Sequence, residues 1–251
     1  LTIDVREVRS RDEIRVKTLP AQVRSLRKLA PDVMEVKLAL PASESLAFRA
    51  GQYIDFLLRN RKRRAFSIAN APANDEFLEL HIRLVPDGEF TDMVFNQFQI
   101  KSLVRIEAPH GDFYVREESN RPLLMIAGGT GFAPIKAMIE QLIAEQDTRP
   151  IHLYWGVRTL ADLYHQALAE SWIKTGFSFT PVLSQAAEAD DWQGRTGYVH
   201  ETVAANHADL SGFDVYIAGP PQMIVAAQTE FLSRGLPREQ LFSDSFEYAQ
   251  D

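Results

Sequence analysis

The amino-acid sequence predicts a two-module molecule, a six-stranded antiparallel β-barrel followed by a doubly wound parallel α/β sheet. Three observations carry this reading. Short β-branched and aromatic runs separated by turn residues fill the first half. Beyond about residue 121, continuous apolar runs alternate with helical patterns. Three of those later apolar runs end on glycine. The expected boundaries are an extension or linker over 1–17, the barrel over 18–117 and the α/β module over 118–251, joined near residues 115–121.

The barrel strands are expected at "RVKTLPAQVRSLRKL" (15–29), "VMEVKLALP" (33–41), "QYIDFLL" (52–58), "RAFSIAN" (64–70), "FLELHIRLV" (77–85) and "SLVRIEAP" (102–109). Such side chains suit a pleated, half-buried surface, and Pro41-Ala42-Ser43, Asn70-Ala71-Pro72 and Pro86-Asp87-Gly88 supply turns between them. Six short strands at roughly regular spacing imply closure. One short helix is expected to start near Thr91 and to cover "DMVFNQF", with Thr91 as its cap.

The second module opens with the strand "LLMIAGG" (123–129), and Ile135, Met138, Ile139, Leu142 and Ile143 then follow the spacing of one helix face. "IHLYWG" (151–156) is the next strand, and "ADLYHQALAESWI" (161–173) reads as one helix burying Leu163, Ala167, Leu168 and Trp172. "FSFTPVL" (177–183) is a third strand and "TGYVHETVAANH" (196–207) carries a helix. "DVYIAGP" (214–220) is the fourth strand, and "PQMIVAAQTEFLSRG" (221–235) is its helix, closing on Gly235. Strands that are apolar throughout belong to a parallel sheet covered on both faces.

Composition bounds the function. The chain has 251 residues, no cysteine and a net charge of −7. Disulfides, thiolate metal sites and a cysteine-held iron–sulfur cluster within this chain are therefore excluded. No apolar run reaches 18 residues and no secretory leader opens the chain, so no membrane partner is expected and a cytoplasmic location is the default. The acidic balance, without a basic–aromatic stripe, argues against nucleic acid. The charge is uneven: residues 1–117 carry +2 and residues 118–251 carry −9. The six histidines show no metal-ligand spacing, so no metal is expected.

Open parallel sheets bind ligands at the carboxyl ends of their strands. "AGGTG" (127–131) lies there, bare backbone leading into a helix N-terminus, and Pro134 fits the first turn of that helix. Phosphate is the natural occupant. The loop is not G-x-G-x-x-G, which disfavours an ordinary Rossmann dehydrogenase. "YWGVR" (154–158) and "YIAGPPQM" (216–223) end two more strands on glycine, so the three endings form a crevice floor. On the barrel, alternation along "RRAFSIAN" points Arg64 and Phe66 to one side and Ala65 and Ser67 to the other. Arginine forks onto phosphate, phenylalanine stacks on a flat ring and serine hydrogen-bonds a ring nitrogen. In "PDGEFTD" (86–92), Gly88 and Thr91 offer another anion-ready helix start.

In this order the pieces resemble the ferredoxin–NADP reductase superfamily: R-x-[YF]-S at Arg64–Ser67, G-x-x-[ST] at Gly88–Thr91, G-G-T-G-x-A-P at Gly128–Pro134 and [CA]-G-P-x-x-M at Ala218–Met223. "DWQGRTGYVHE" (191–201) also looks like the loop after the third strand in these reductases. The resemblance covers about residues 18–251, and within the superfamily it is nearest to the NAD(P)H–flavin reductases and the reductases of 6-deoxyhexose biosynthesis (the CDP-6-deoxy-glucoseen reductase type). It implies an FAD-binding barrel, a module binding NADH or NADPH, and hydride transfer from nicotinamide to flavin. By this resemblance Arg64 holds the flavin pyrophosphate, Phe66 stacks on the isoalloxazine with Ala65 beside it, and Ser67 sits near N5 as the catalytic residue. His81, Ile82, Arg83 and Val85 line the ribityl and diphosphate, to which Gly88, Phe90 and Thr91 present N–H groups. Gly128, Gly129, Thr130 and Gly131 face the nicotinamide nucleotide's diphosphate. Trp155, Gly156 and Arg158, with Gly219, Pro220, Pro221 and Met223, frame the dinucleotide, and Phe246 in "DSFEY" (244–248) covers the flavin's second face. Ala218 stands where many members carry cysteine, as in the flavin reductase branch.

The resemblance also implies an electron outlet. Relatives often carry a [2Fe–2S] ferredoxin domain before the barrel, and residues 1–20, opening on Leu1, look like the linker leaving one. A fragment whose cluster domain is missing is therefore the expectation. The acceptor is then a [2Fe–2S] domain or partner, toward which Arg61-Lys62-Arg63-Arg64 could steer. Release of reduced free flavin is the alternative, and a nucleotide sensor without turnover is another. NADH is favoured over NADPH by the −9 balance of the second module.

Overall fold

The computed structural model of the chain describes residues 14–59 and 61–246. Most of the expected 1–17 extension, and Glu247 and Tyr248 of "DSFEY", lie outside them.

Six strands form the first sheet: β1 (Lys17–Ala30), β2 (Val33–Ala39), β3 (Tyr53–Leu57), β4 (Arg63–Ser67), β5 (Leu78–Arg83) and, after helix α1 (Glu89–Asn96), β6 (Leu103–His110). Burial alternates most plainly in β3, and β5 is buried at every residue but Arg83. Every pairing among them is antiparallel, in the order β4-β3-β6-β1-β2-β5. Strands β4 and β5 are the two ends of that order, and Ile68 just beyond β4 bridges Leu80 of β5. The sheet thus closes on itself at this bridge. Val23, Leu38, Ile54, Ile68, Leu80 and Ile106 fill the interior with no exposure.

The second module comprises β7 (Leu123–Gly128), α2 (Phe132–Ala144), β8 (Ile151–Val157), α3 (Gln166–Ser171), β9 (Ser178–Leu183), β10 (Arg195–Thr196), α4 (Val199–Asn206), β11 (Asp214–Gly219), α5 (Pro221–Ser233) and β12 (Leu241–Ser245). All pairings are parallel, in the order β10-β9-β8-β7-β11-β12. The order reverses between β7 and β11, a switch point of the kind where open sheets bind ligands. Phe132, Met138 and Trp172 cover one face, while Val203, Ile224 and Phe231 cover the other. Every residue of β7 and of β11 is buried, as strands covered on both sides must be. Among the described residues, no helix is long and apolar enough to cross a membrane.

Four local expectations need correction. Helix α1 begins at Glu89, two residues before Thr91, and Gly88 is its N-cap. The single helix over 161–173 is instead a 3-10 turn at Leu160–Asp162, α3, and a second 3-10 turn at Trp172–Thr175. Asp162 accepts from both the N–H and the hydroxyl of Thr159, which closes the first turn. Leu163 then leaves helical geometry at ψ 54°, and Tyr164 next to it meets His81 across the module boundary. Strands β10 and β12 were also not expected. Both are short and at the sheet's edges, where burial leaves little pattern.

Candidate functional site

Strand β4 supplies the barrel side of the site. Ser67 is buried at its end, and Arg64 and Phe66 are half-buried. The Phe66 ring packs against Phe56 at 5.8 Å and Phe90 at 5.6 Å between centroids. Next to it lies the entry of α1. Thr91 does not cap this helix: its Oγ1 accepts from the Val85 N–H at 3.1 Å and bonds the Gly88 carbonyl at 3.1 Å. That tightens the 85–88 turn, and the first-turn N–H groups of α1 take no side-chain cap. Uncapped N–H groups at a helix start favour an anion.

The sheet side is built from backbone. Gly129 has φ +54°, and a Cβ there would point at the Arg83 guanidinium, 3.7 Å away. At Gly131 a Cβ would lie 2.0 Å from the Ala218 carbonyl oxygen, so only glycine lets the loop approach β11 this closely. Trp155 fixes the loop from below: its Nε1 donates to the Gly129 carbonyl at 3.0 Å, and its ring stacks on Phe132 at 3.9 Å.

The two sides enclose one cleft of about 480 Å³. Arg64, Ala65, Phe66, Ser67, His81, Arg83, Val85, Gly88, Phe90 and Thr91 line it from the barrel, and Thr130, Ala133, Asp244 and Phe246 from the sheet. Ser67 Oγ donates across the boundary to Asp244 Oδ2 at 3.2 Å. The Phe246 N–H donates to the Gly219 carbonyl at 3.1 Å, pinning the end of β12 to the end of β11. Burial pushes the Asp244 carboxyl up to about 6; the Ser67 hydrogen bond opposes this and the charge of Asp112 adds to it.

Several expected residues stand elsewhere. Ile82 points into the barrel core with no exposure, because alternation along β5 sends His81 and Arg83 the other way. The Trp155 ring is fully buried in the sheet's core, so it can frame a ligand only through the loop it supports. Gly156 makes room for Val199 of α4, whose Cβ would lie 2.7 Å from a Cβ there. Arg158 is more than half exposed and pairs with Asp32 at 3.4 Å and Asp162 at 4.0 Å. Met223 packs its sulfur against Gly128, and Pro220 and Pro221 form the N-cap and first position of α5. Arg63 of the basic run turns onto Glu107 and Asp55.

Sequence reasoning missed Tyr53 and Asp55 in the cleft, and it named Asp244 only as part of "DSFEY" and Arg63 only as part of the basic run, with no role for either side chain. Asp244 sits in "LFSDS", which has no periodicity to flag it. It also missed two clusters assembled across strands, Glu35–Glu79–His81–His165 and Asp55–Glu107–His110. In the first, Lys37 and Lys136 stand among the carboxylates; in the second, Arg63 does.

A guanidinium, an uncapped helix start, a half-buried phenyl ring and a serine hydroxyl on one wall fit a flat ring carrying a diphosphate. A bare glycine loop at the switch point fits a second nucleotide. Together, barrel and sheet define a two-module dinucleotide oxidoreductase with a shared cleft. Comparison with known proteins agrees. An oxidoreductase FAD-binding domain model matches residues 20–114, and an oxidoreductase NAD-binding domain model matches residues 125–229. The CDP-6-deoxy-L-threo-D-glycero-4-hexulose-3-dehydrase reductase of Yersinia pestis is 40% identical over 247 residues, 98% of this chain and 74% of that protein. The NAD(P)H-flavin reductase of Aliivibrio fischeri is 35% identical over 235 residues, 90% of this chain and 98% of that protein. The crystal structure of the Amycolatopsis cytochrome P450 reductase GcoB superposes with a TM-score of 0.87 at 32% identity, covering 94% of this chain and 71% of that one. The chain belongs to the ferredoxin–NADP reductase superfamily, as an NAD(P)H-dependent flavoprotein reductase that uses FAD and a pyridine nucleotide.

Proposed function

We propose that this reductase takes electrons from NADH in preference to NADPH and delivers them, through FAD, to a [2Fe–2S] ferredoxin-type domain or partner protein. The observation that carries the site assignment is the Ser67–Asp244 hydrogen bond, which ties the barrel wall to the end of the sheet inside one cleft. Arg64, Phe66, Ser67 and the first turn of α1 would hold FAD, and Gly129 to Gly131 with the β11–α5 turn would hold the pyridine nucleotide. Bound together, the two cofactors supply hydride transfer. The chain's own part is to orient both groups, exclude water with Phe246 and keep the Ser67 hydroxyl directed by Asp244.

Support for NADH comes from Arg158, the cation nearest the β8 strand end, which is already engaged by Asp32 and Asp162. A 2′-phosphate wants a cation of its own. Support for an acidic protein acceptor comes from the basic run Arg61-Lys62-Arg63-Arg64, which leads into the cleft wall. A second reading, release of reduced free flavin, is supported by the Aliivibrio relative, which is named for that activity and aligned over 98% of its length.

The test is steady-state oxidation of NADH and NADPH with ferricyanide, cytochrome c or added FMN as acceptor, after gel filtration. Retained FAD, a kcat/KM at least tenfold higher for NADH and little stimulation by FMN are expected. Loss of FAD on the column, with turnover restored by free FMN or riboflavin, would favour the second reading.

A further inference from the structure

Behind the cleft, on the buried side of the boundary between barrel and sheet, stands Lys136. It lies in α2, five residues past Gly131, and is 5% exposed. A lysine so buried needs partners for all three of its N–H donors. Its Nζ donates to the Ala69 carbonyl at 2.9 Å and sits 3.2 Å from Glu79 Oε1 and 2.9 Å from Glu140 Oε1. Two of these acceptors belong to the barrel, and Ala69 follows Ser67 by two residues.

A second path leaves the same ion pair. Glu79 Oε1 is 3.0 Å from His81 Nε2, and His81 Nδ1 is 3.2 Å from the Tyr164 hydroxyl. The His81 ring lies parallel to Phe132 within 10°, Phe132 stacks on Trp155, and Trp155 holds the Gly129 carbonyl. Burial disfavours the Glu79 carboxylate, yet the His81 hydrogen bond and the Lys136 charge hold it at about 2. The same burial lowers His81, which therefore serves Glu79 as a neutral donor. Lys136 and Glu79 thus connect to Ser67 on one side and to the glycine loop on the other.

Stability alone does not call for a charge here. A buried ion pair replaced by apolar side chains of similar volume is often neutral or even stabilising. A fully partnered ammonium adds something methionine cannot: one allowed placement of α2 against the ends of β4 and β5. We propose that Lys136, with Glu79, is a positioning residue for hydride transfer, setting the distance between the Ser67 wall and the glycine loop. This rests on the reading that flavin and nicotinamide meet in the cleft, although Lys136 itself does not line it.

The test uses the FAD-loaded chain with Lys136→Met. FAD is retained, the long-wavelength absorbance of nicotinamide stacked on flavin falls several-fold, and kcat falls by about tenfold to a hundredfold with KM for NADH within threefold. The chain has no cysteine. Lys136→Cys can therefore be aminoethylated in denaturant and refolded with FAD, which rebuilds the ammonium and is expected to restore both signals. Should Lys136→Met fail to fold, Glu79→Gln keeps the shape, removes the charge and carries the same criteria. The proposal is overturned if the variant keeps the absorbance and kcat within twofold, whatever its Tm. A parent protein with neither that absorbance nor nicotinamide-dependent flavin reduction overturns the reductase reading instead.

Discussion

Arg64, Phe66 and Ser67 reach the cleft as side chains of one barrel strand, whereas the glycine loop of the sheet reaches it at Thr130, with Gly129 and Gly131 on either side as bare backbone. The barrel wall is therefore specified residue by residue. The sheet wall is specified by what is missing in front and by what is bulky behind, where Trp155 and Phe132 brace the loop. Chemistry on the first wall should respond to truncating side chains, and on the second to adding them.

The sharpest way to break this contrast is Gly131→Ala. Its Cβ would meet the Ala218 carbonyl oxygen at 2.0 Å, so the loop must move. FAD retention should be unchanged while kcat/KM for NADH falls on the order of 10²-fold, read by visible absorbance and steady-state rates. A variant with near-parental kcat/KM would show that the close approach has no functional weight. On the barrel wall, Ser67→Ala deletes the hydroxyl and nothing else. A loss of kcat of about 10²-fold with KM little changed is expected, at the lower end of what a positioned donor contributes; a change confined to KM would move Ser67 from chemistry to binding.

Asp244→Asn probes the place where the walls meet. The folded carboxyl lies at about 6, above the ordinary aspartate value near 4, so the folded state binds more protons than the unfolded one between those two pH values. Its contribution is complete below about pH 4 and is lost as pH rises to about 6, a fall of roughly 2 kcal/mol. The difference in unfolding free energy between parent and variant, measured by denaturant titration from pH 4 to 7, should follow that course. A difference that does not change with pH would mean that Asp244 is not the raised acid described. The smallest effect belongs to Trp155→Phe, which keeps the stack on Phe132 and removes the bond to Gly129. A loss of about 1 kcal/mol and a modest rise in KM for the nicotinamide are expected, with FAD affinity untouched. Weaker FAD binding instead would show that the brace serves both walls.

Sequence patterns made the two walls legible to different degrees. The barrel strands and the central strands of the sheet could be read because one or both of their faces are buried, which imposes a period or a continuous apolar run. The glycine loop could be read because glycine is informative exactly where a side chain would clash, as at Gly131. The break at Leu163 could not, because it answers to Tyr164 meeting His81 on the other module. Asp244 and Lys136 escaped for the same reason. Each is one polar residue whose partners, Ser67 and Glu79, lie 177 and 57 positions away, and no local period encodes such a meeting. Ile82 and Trp155 show the reverse: neighbours of site residues whose side chains alternation sends into the core.

The bridge between Ile68 and Leu80 has a bearing on the serine beside it. A strand held on one flank can slip by one position, and such a slip would turn the Ser67 hydroxyl away from Asp244. Here β3 grips β4 along one flank while the bridge anchors the residue next to Ser67 from the other. The hydroxyl is thereby indexed by the circumference of the barrel itself, and a slip would have to open the ring.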